Sequence, residues 1–174
     1  MWRWFPCKAY AVLLIVFAAL FVISLAQADD VIAGDMQPMP AIQWQDADGN
    51  THQLNDTQGK PRILHFWAAW CIPCREEMPE MLQWRQDNPD IEVIALSLDQ
   101  RIAQTKHFIR KNKLDMPALL LIEDADVFSV PVVPYTLFIS EDGLLVGYYP
   151  GIAPWNVSGF TESVRSLFRG NDDS

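Results

Sequence analysis

Basic residues and cysteine are both scarce in this sequence. Its 174 residues hold 13 lysines and arginines against 22 acids, a formal charge of −9. No basic stripe stands out along the chain. Nucleic-acid affinity comes largely from clustered Lys and Arg releasing counterions, so a phosphate-backbone binder is excluded. Only three cysteines occur, Cys7, Cys71 and Cys74, so no disulfide network holds the fold and an ordinary apolar core must. Internal repeats, low-complexity tracts and a glycine-rich phosphate loop are absent too. What is present is the composition of one globular domain, half hydrophobic and a fifth charged.

Acid is missing altogether from residues 1–28, which contain Arg3 and Lys8, so residues 29–174 carry −11. That field is expected to steer the domain towards basic partner surfaces, more weakly as salt rises. Met1–Lys8 is short, cationic and tryptophan-rich, and it runs into Ala9–Ala26, eighteen residues with Ser24 as the one clearly polar member. Positive charge before the apolar run and Asp29-Asp30 after it predict a cytoplasmic N-terminus and export of everything downstream. Ala26-Gln27-Ala28 supplies a signal-peptidase site. The run is nonetheless close to the roughly 20 residues that span a bilayer, and Trp2, Trp4 and Phe5 suit an interfacial belt. Residues 1–28 therefore read as a signal peptide or a signal anchor, and any membrane contact is expected through them alone. Cys7 lies before the apolar core, which excludes a lipoprotein.

Asp29–Pro40 reads as a linker, with Gly34, Pro38 and Pro40 breaking regular structure, and the domain is expected over residues 41–170 with a short charged tail at 171–174. Ile42-Gln43-Trp44 and Thr51-His52-Gln53-Leu54 flank Asp48-Gly49-Asn50 as a hairpin. Ile63–Ala68 is a continuous apolar run of strand length, as in a strand buried on both faces. A helix over Glu76–Gln86 and a strand over Ile91–Leu98 complete a parallel βαβ unit. Ile102–Lys113 is a further helix and Leu119–Ile122 a short strand. Tyr135–Ser140 and Leu144–Tyr149 form an antiparallel hairpin around Glu141-Asp142-Gly143, and Trp155–Phe168 closes the domain as a helix.

The chemistry gathers at Trp70-Cys71-Ile72-Pro73-Cys74, where the buried strand meets the helix. Two cysteines three apart at a helix start can close a disulfide, and the first faces the unpaired N–H groups and dipole that stabilise a thiolate. Cys71 is then the attacking sulfur, and Cys74, shielded one turn in, resolves the mixed disulfide. Zinc would need four ligands, and only His52, His65 and His107 accompany the pair, in no ligand-like spacing. A purely structural disulfide across so small a loop would stabilise little.

His65-Phe66-Trp67-Ala68-Ala69-Trp70-Cys71-Ile72-Pro73-Cys74-Arg75-Glu76-Glu77-Met78-Pro79 resembles the active-site strand and helix of the thioredoxin superfamily, most of all its exported TlpA/ResA-like thiol-disulfide oxidoreductases. Pro79 matches the proline inside that helix. Val133-Pro134-Tyr135-Thr136 resembles the loop whose proline is cis in the family. The resemblance implies an α/β thioredoxin-like fold: a central mixed sheet flanked by helices, an N-terminal β-hairpin extension and an insertion before the cis-Pro loop. The 60 residues from Cys74 to Pro134 leave room for that insertion but not for the large helical domain of a DsbA-type oxidase. A peroxiredoxin would need Thr or Ser where Ala68 stands.

The same resemblance implies a periplasmic enzyme needing no cofactor or metal, soluble or tethered to the inner membrane. It would reduce disulfides of exported proteins such as apocytochromes c or copper-site proteins, with electrons from a DsbD/CcdA-type membrane donor. Trp70, Pro73, Val133 and Pro134 are expected to meet substrate. Two alternatives stand beside this reading: a thiol oxidase or isomerase, and a non-enzymatic copper-binding or chaperone module of the same fold. His65 departs from the family, which places an acid or asparagine there. It is expected either to relay a proton to or from Cys74 or to be a neutral core histidine. Glu76, Glu77 and Glu80 are expected on a solvated helix face, and Trp67 and Trp70 to build core and rim around the cysteines.

Overall fold

The computed structural model describes residues 31–54, 59–122 and 130–170. The expected signal or anchor segment, Cys7 and the tail lie outside them. Within them, no helix is long and apolar enough to cross a membrane.

The apolar run forms β4, Arg62–Trp67, buried at every position. It lies in the sheet between β5 (Glu92–Ser97), its parallel neighbour, and β7 (Tyr135–Ile139), its antiparallel one. Burial on both faces explains why its sequence runs apolar instead of alternating. Helix α1, Ile72–Asp87, joins β4 to β5, completing the expected unit. Among the described residues, with β1 at Ile32–Pro38, β2 at Gln43–Gln45, β3 at Thr51–Gln53, β6 at Leu120–Leu121 and β8 at Leu144–Pro150, eight strands follow the order β1-β8-β7-β4-β5-β6-β2-β3. Helix α2 spans Ile102–Lys111 and α3 spans Ser158–Arg169.

Two apolar clusters sandwich the sheet. Ile63 and Trp67 point into one, with Met78, Met81 and Trp84 of α1, Phe108 and Ile109 of α2, and Phe160 and Val164 of α3. Leu64 and Phe66 point into the other, with Ile42, Trp44, Ile94, Leu96 and Leu137.

The linker expectation fails over part of its length. Ile32–Pro38 is strand β1, paired antiparallel with β8 at the sheet edge. Gly34 permits the pairing instead of breaking it, because a Cβ there would stand 3.1 Å from Gly147 N and 3.2 Å from Leu145 O. The register slips between Ala33 and Gln37, where Met36 takes a φ of 35°. Pro38 ends the strand, and an edge tolerates it because its missing N–H breaks no interior ladder.

The early hairpin is present as β2 (Gln43–Gln45) and β3 (Thr51–Gln53), and β2 also pairs with β6, so the hairpin extends the main sheet. Its turn is organised by Asp46, whose carboxylate accepts from the amides of Asp48 and Asn50 at 2.9 Å and from His52 Nε2 at 2.8 Å. Those bonds hold the Asp46 carboxyl well below the usual range, His52 contributing most. Two helix starts also move. Helix α1 begins at Ile72, so the cysteine motif is its first turn, and α3 begins at Ser158, which leaves Trp155 in the preceding turn.

Candidate active site

Cys71 is the N-cap of α1 and Cys74 its third residue, and the two form a disulfide with an S–S distance of 2.07 Å. The Cys74 amide donates to Cys71 Sγ at 3.2 Å, so one of the orphan N–H groups of the helix start already faces the sulfur that would become a thiolate. Cys74 is fully buried, whereas Cys71 retains a little exposure. The Val133–Pro134 bond is cis, and the Val133 carbonyl oxygen lies 3.6 Å from Cys71 Sγ. Two segments 62 residues apart in sequence thus meet at Cys71 Sγ. Trp70 is 67% exposed and Ile72 63%, on either side of a nearly buried cysteine, and Pro73 is exposed as well. Trp67, by contrast, is core.

His65 is completely buried on the cysteine face of β4. Its Nδ1 lies 3.1 Å from Thr136 Oγ1 on the neighbouring strand, and its Nε2 lies 3.3 Å from Glu77 Oε1 without hydrogen-bond alignment. Trp155 packs edge-on against the imidazole, ring centroids 5.7 Å apart. Neither ring nitrogen meets backbone: Nδ1 is within hydrogen-bond distance of the Thr136 hydroxyl, and Nε2 faces Glu77 across 3.3 Å without a hydrogen bond.

Glu77 is the main correction to the solvated-face expectation. It is only 2% exposed, whereas Glu76 and Glu80 do face solvent. Its Oε2 accepts from the Ala153 amide at 3.0 Å and from Trp155 Nε1 at 3.1 Å. Because α1 starts four residues earlier than expected, Glu77 falls one turn after Cys74 on the same helix face. The signal was available: a carboxylate three residues beyond a buried cysteine shares its direction once the helix start is set correctly.

A second buried carboxylate, absent from the sequence-based candidates, braces the loop before the cysteines. Asp99 Oδ1 accepts from the Ala69 amide at 3.0 Å, and Oδ2 accepts from Ser97 Oγ at 2.8 Å and Thr105 Oγ1 at 2.9 Å. The turn that presents Trp70 and Cys71 is thereby tied to the end of β5 and to α2. Among the described residues, no cluster of three or more His, Cys, Asp or Glu side chains is arranged to hold a metal.

A family model described as AhpC/TSA matches residues 36–146, a span that includes the cysteine motif, Glu77, Asp99 and the cis-proline. The chain belongs to the AhpC/TSA family. Among curated proteins it is 32% identical over 148 residues to the thiol-disulfide oxidoreductase ResA of Oceanobacillus iheyensis, covering 80% of this chain and 77% of that one. Its fold matches a thiol:disulfide interchange protein DsbE from Chlorobium tepidum, with a TM-score of 0.67, 20% identity and coverage of 78% of this chain and 98% of that one. A thiol:disulfide interchange protein from Bacteroides sp. matches with a TM-score of 0.65 and 25% identity over 80% of this chain and 93% of that one. The fold is therefore thioredoxin-like. Together with a cysteine pair at bonding distance, these relatives make the chain a ResA-like thiol-disulfide oxidoreductase acting on protein thiols and disulfides.

Proposed function

We propose that the chain is an exported reductase of protein disulfides, in which Cys71 attacks, Cys74 resolves and Val133-Pro134 presents the substrate strand. The observation that carries this reading is the setting of Cys71. It caps a helix, receives an amide hydrogen bond at 3.2 Å and lies 3.6 Å from a carbonyl beside a cis-proline. In the reduced protein the Cys71 thiolate attacks a substrate disulfide, forms the mixed disulfide and releases one substrate thiolate, which takes up a proton. Cys74 gives its proton to the buried Glu77–His65 pair and attacks Cys71 Sγ. The second substrate sulfur leaves and is protonated, and the Cys71–Cys74 disulfide forms. Two electrons have then passed from the dithiol to the substrate. A dithiol donor of the DsbD/CcdA type restores the pair.

The proton path differs from a direct His65–Cys74 relay. Glu77 stands one helical turn from Cys74, and His65 backs it from the other side at 3.3 Å. Export rests on the cationic, apolar residues 1–28, and the substrates proposed are exported apocytochromes c or copper-site proteins. The Cu(I) reading is weakened because Met78 and Met81, the soft ligands nearest in sequence, are core residues. An oxidase or isomerase differs from a reductase in potential, not in geometry, so the measured reduction potential decides the direction. The experiment for the chemistry is trapping with Cys74→Ser: a stable mixed disulfide through Cys71 is expected. Absence of one, or full activity in Cys71→Ser, refutes the proposal.

A further inference from the structure

A cleft of about 590 Å³ opens beside the cysteine turn, between the start of α1 and the outer face of α2. Trp70, Arg75, Arg101, His107, Phe108 and Lys111 line it. Against the expectation that no basic stripe is present, residues 101–113 supply one. Five of the eleven bases in residues 29–174 lie within Arg101–Lys113, a stretch that also holds His107 and no acid. Helical spacing places Arg101, Gln104, His107 and Lys111 along one side of α2. Arg75 joins them from α1, its guanidinium 5.6 Å above the Phe108 ring.

Among the described residues the cations lining the cleft outnumber its one carboxylate, Asp99. Arg75, Arg101 and Lys111 are exposed, and no carboxylate among the described residues lies within ion-pair distance of any of them. Asp99 is the one acid lining the cleft, and both its oxygens are occupied by Ala69, Ser97 and Thr105. The nearest exposed acid in sequence, Glu76, lines the adjoining cleft with Ile72 and Pro79. A chain of net charge −9 thus turns a cationic, aromatic-edged groove towards whatever reaches Cys71.

We propose that this groove binds an acidic segment of the protein whose disulfide is exchanged, so that the preferred substrates carry Asp or Glu near the target cysteine. The inference rests on the reductase reading above and names its substrate class. A substrate chain held at Cys71 passes over Trp70, the residue before it, into the groove. Charge complementarity at such a rim speeds encounter and selects partners, and it fades with salt. It opposes the preference for basic partners that the overall charge implies.

Three otherwise identical disulfide-bonded peptides, with aspartate, serine or lysine flanking the cysteines, test it against the reduced full chain in mild detergent. At low salt kcat/KM for the aspartate peptide is expected to exceed that for the lysine peptide about tenfold, mainly through KM, and about 0.5 M salt is expected to erase the difference. In Arg101→Glu/Lys111→Glu the order is expected to reverse. Equal rates for the three peptides, or a preference for lysine in the unaltered protein, would overturn the inference while leaving the exchange chemistry standing. Failure to reduce any of them would overturn the reductase reading and this inference with it.

Discussion

Leu64 and Phe66 leave β4 on one side of the sheet and pack in an apolar cluster with Ile42, Ile94, Leu96 and Leu137. Ile63, His65 and Trp67 leave it on the other and meet the cysteines, Glu77, Thr136 and Trp155. Among the described residues, three of the four buried polar side-chain atoms without a hydrogen-bond partner, His65 Nε2, Glu77 Oε1 and Trp67 Nε1, lie on this second side; the fourth, Nε of Arg62, belongs to a guanidinium whose Nη1 donates to the Leu54 carbonyl at 2.7 Å. Burying polar groups unsatisfied costs stability, and a sequence optimised for folding alone would place hydrocarbon there. On the proposed mechanism the strand packs the core through Leu64 and Phe66 and would handle the proton through His65.

Substitutions on the two sides should separate these roles. The largest expected effect is that of Cys71→Ser: exchange falls to background while the unfolding midpoint moves little, since so short a loop contributes little stability. A large drop in midpoint would mean the pair is a staple. Leu64→Ala on the opposite side should do the reverse. About 3 kcal/mol of unfolding free energy should be lost in denaturant titration, with kcat/KM of the folded protein within twofold of the parent.

Glu77→Gln comes next and sharpens the contrast most. Gln retains an oxygen for the Ala153 and Trp155 donors, so stability should be unchanged or slightly higher once a buried carboxylate is gone. The resolving step should nonetheless slow by about 10- to 100-fold at neutral pH, the range of a lost general acid or base. Asp99→Asn keeps the fold and weakens the brace on Ala69; a severalfold loss in exchange is expected, with about 1 kcal/mol of stability.

The smallest effect lies far from the site. Asp46 has its folded pKa depressed by His52 and Asn50. Its contribution to stability is present above the unfolded carboxylate pKa of about 4 and is lost as pH falls through the lower folded value. Asp46→Asn should therefore be less stable than the parent at pH 7, and the two should converge in strong acid, with exchange unaltered throughout.

Much of this was legible in the residues. The apolar run at 63–68 and the C-x-x-C at its end mark the buried strand and the cysteine pair through local patterns, and Val133-Pro134 is marked as the cis-proline loop by the resemblance to the thioredoxin superfamily. What escaped was set by tertiary contact. Asp29–Pro40 looks like a linker because Gly34, Pro38 and Pro40 interrupt it, yet at Gly34 a Cβ would crowd the backbone where β1 approaches Gly147. Glu77 looks like one of three surface acids until the helix start moves to Ile72 and turns it inward. Asp99 carries little local signal, since beyond Ser97 its partners are Ala69, thirty residues back, and Thr105 on α2. The bases of α2 cluster within residues 101–113 of the sequence, and they become a groove only when α1 adds Arg75 and Trp70.

The claim at the centre of this account is that the Glu77–His65 pair holds the proton of the resolving thiol. The most direct test is the rate of mixed-disulfide resolution against pH in the parent, Glu77→Gln and His65→Asn proteins. A titration step in the parent that shifts in His65→Asn and disappears in Glu77→Gln is the predicted result. Three superimposable profiles would contradict it.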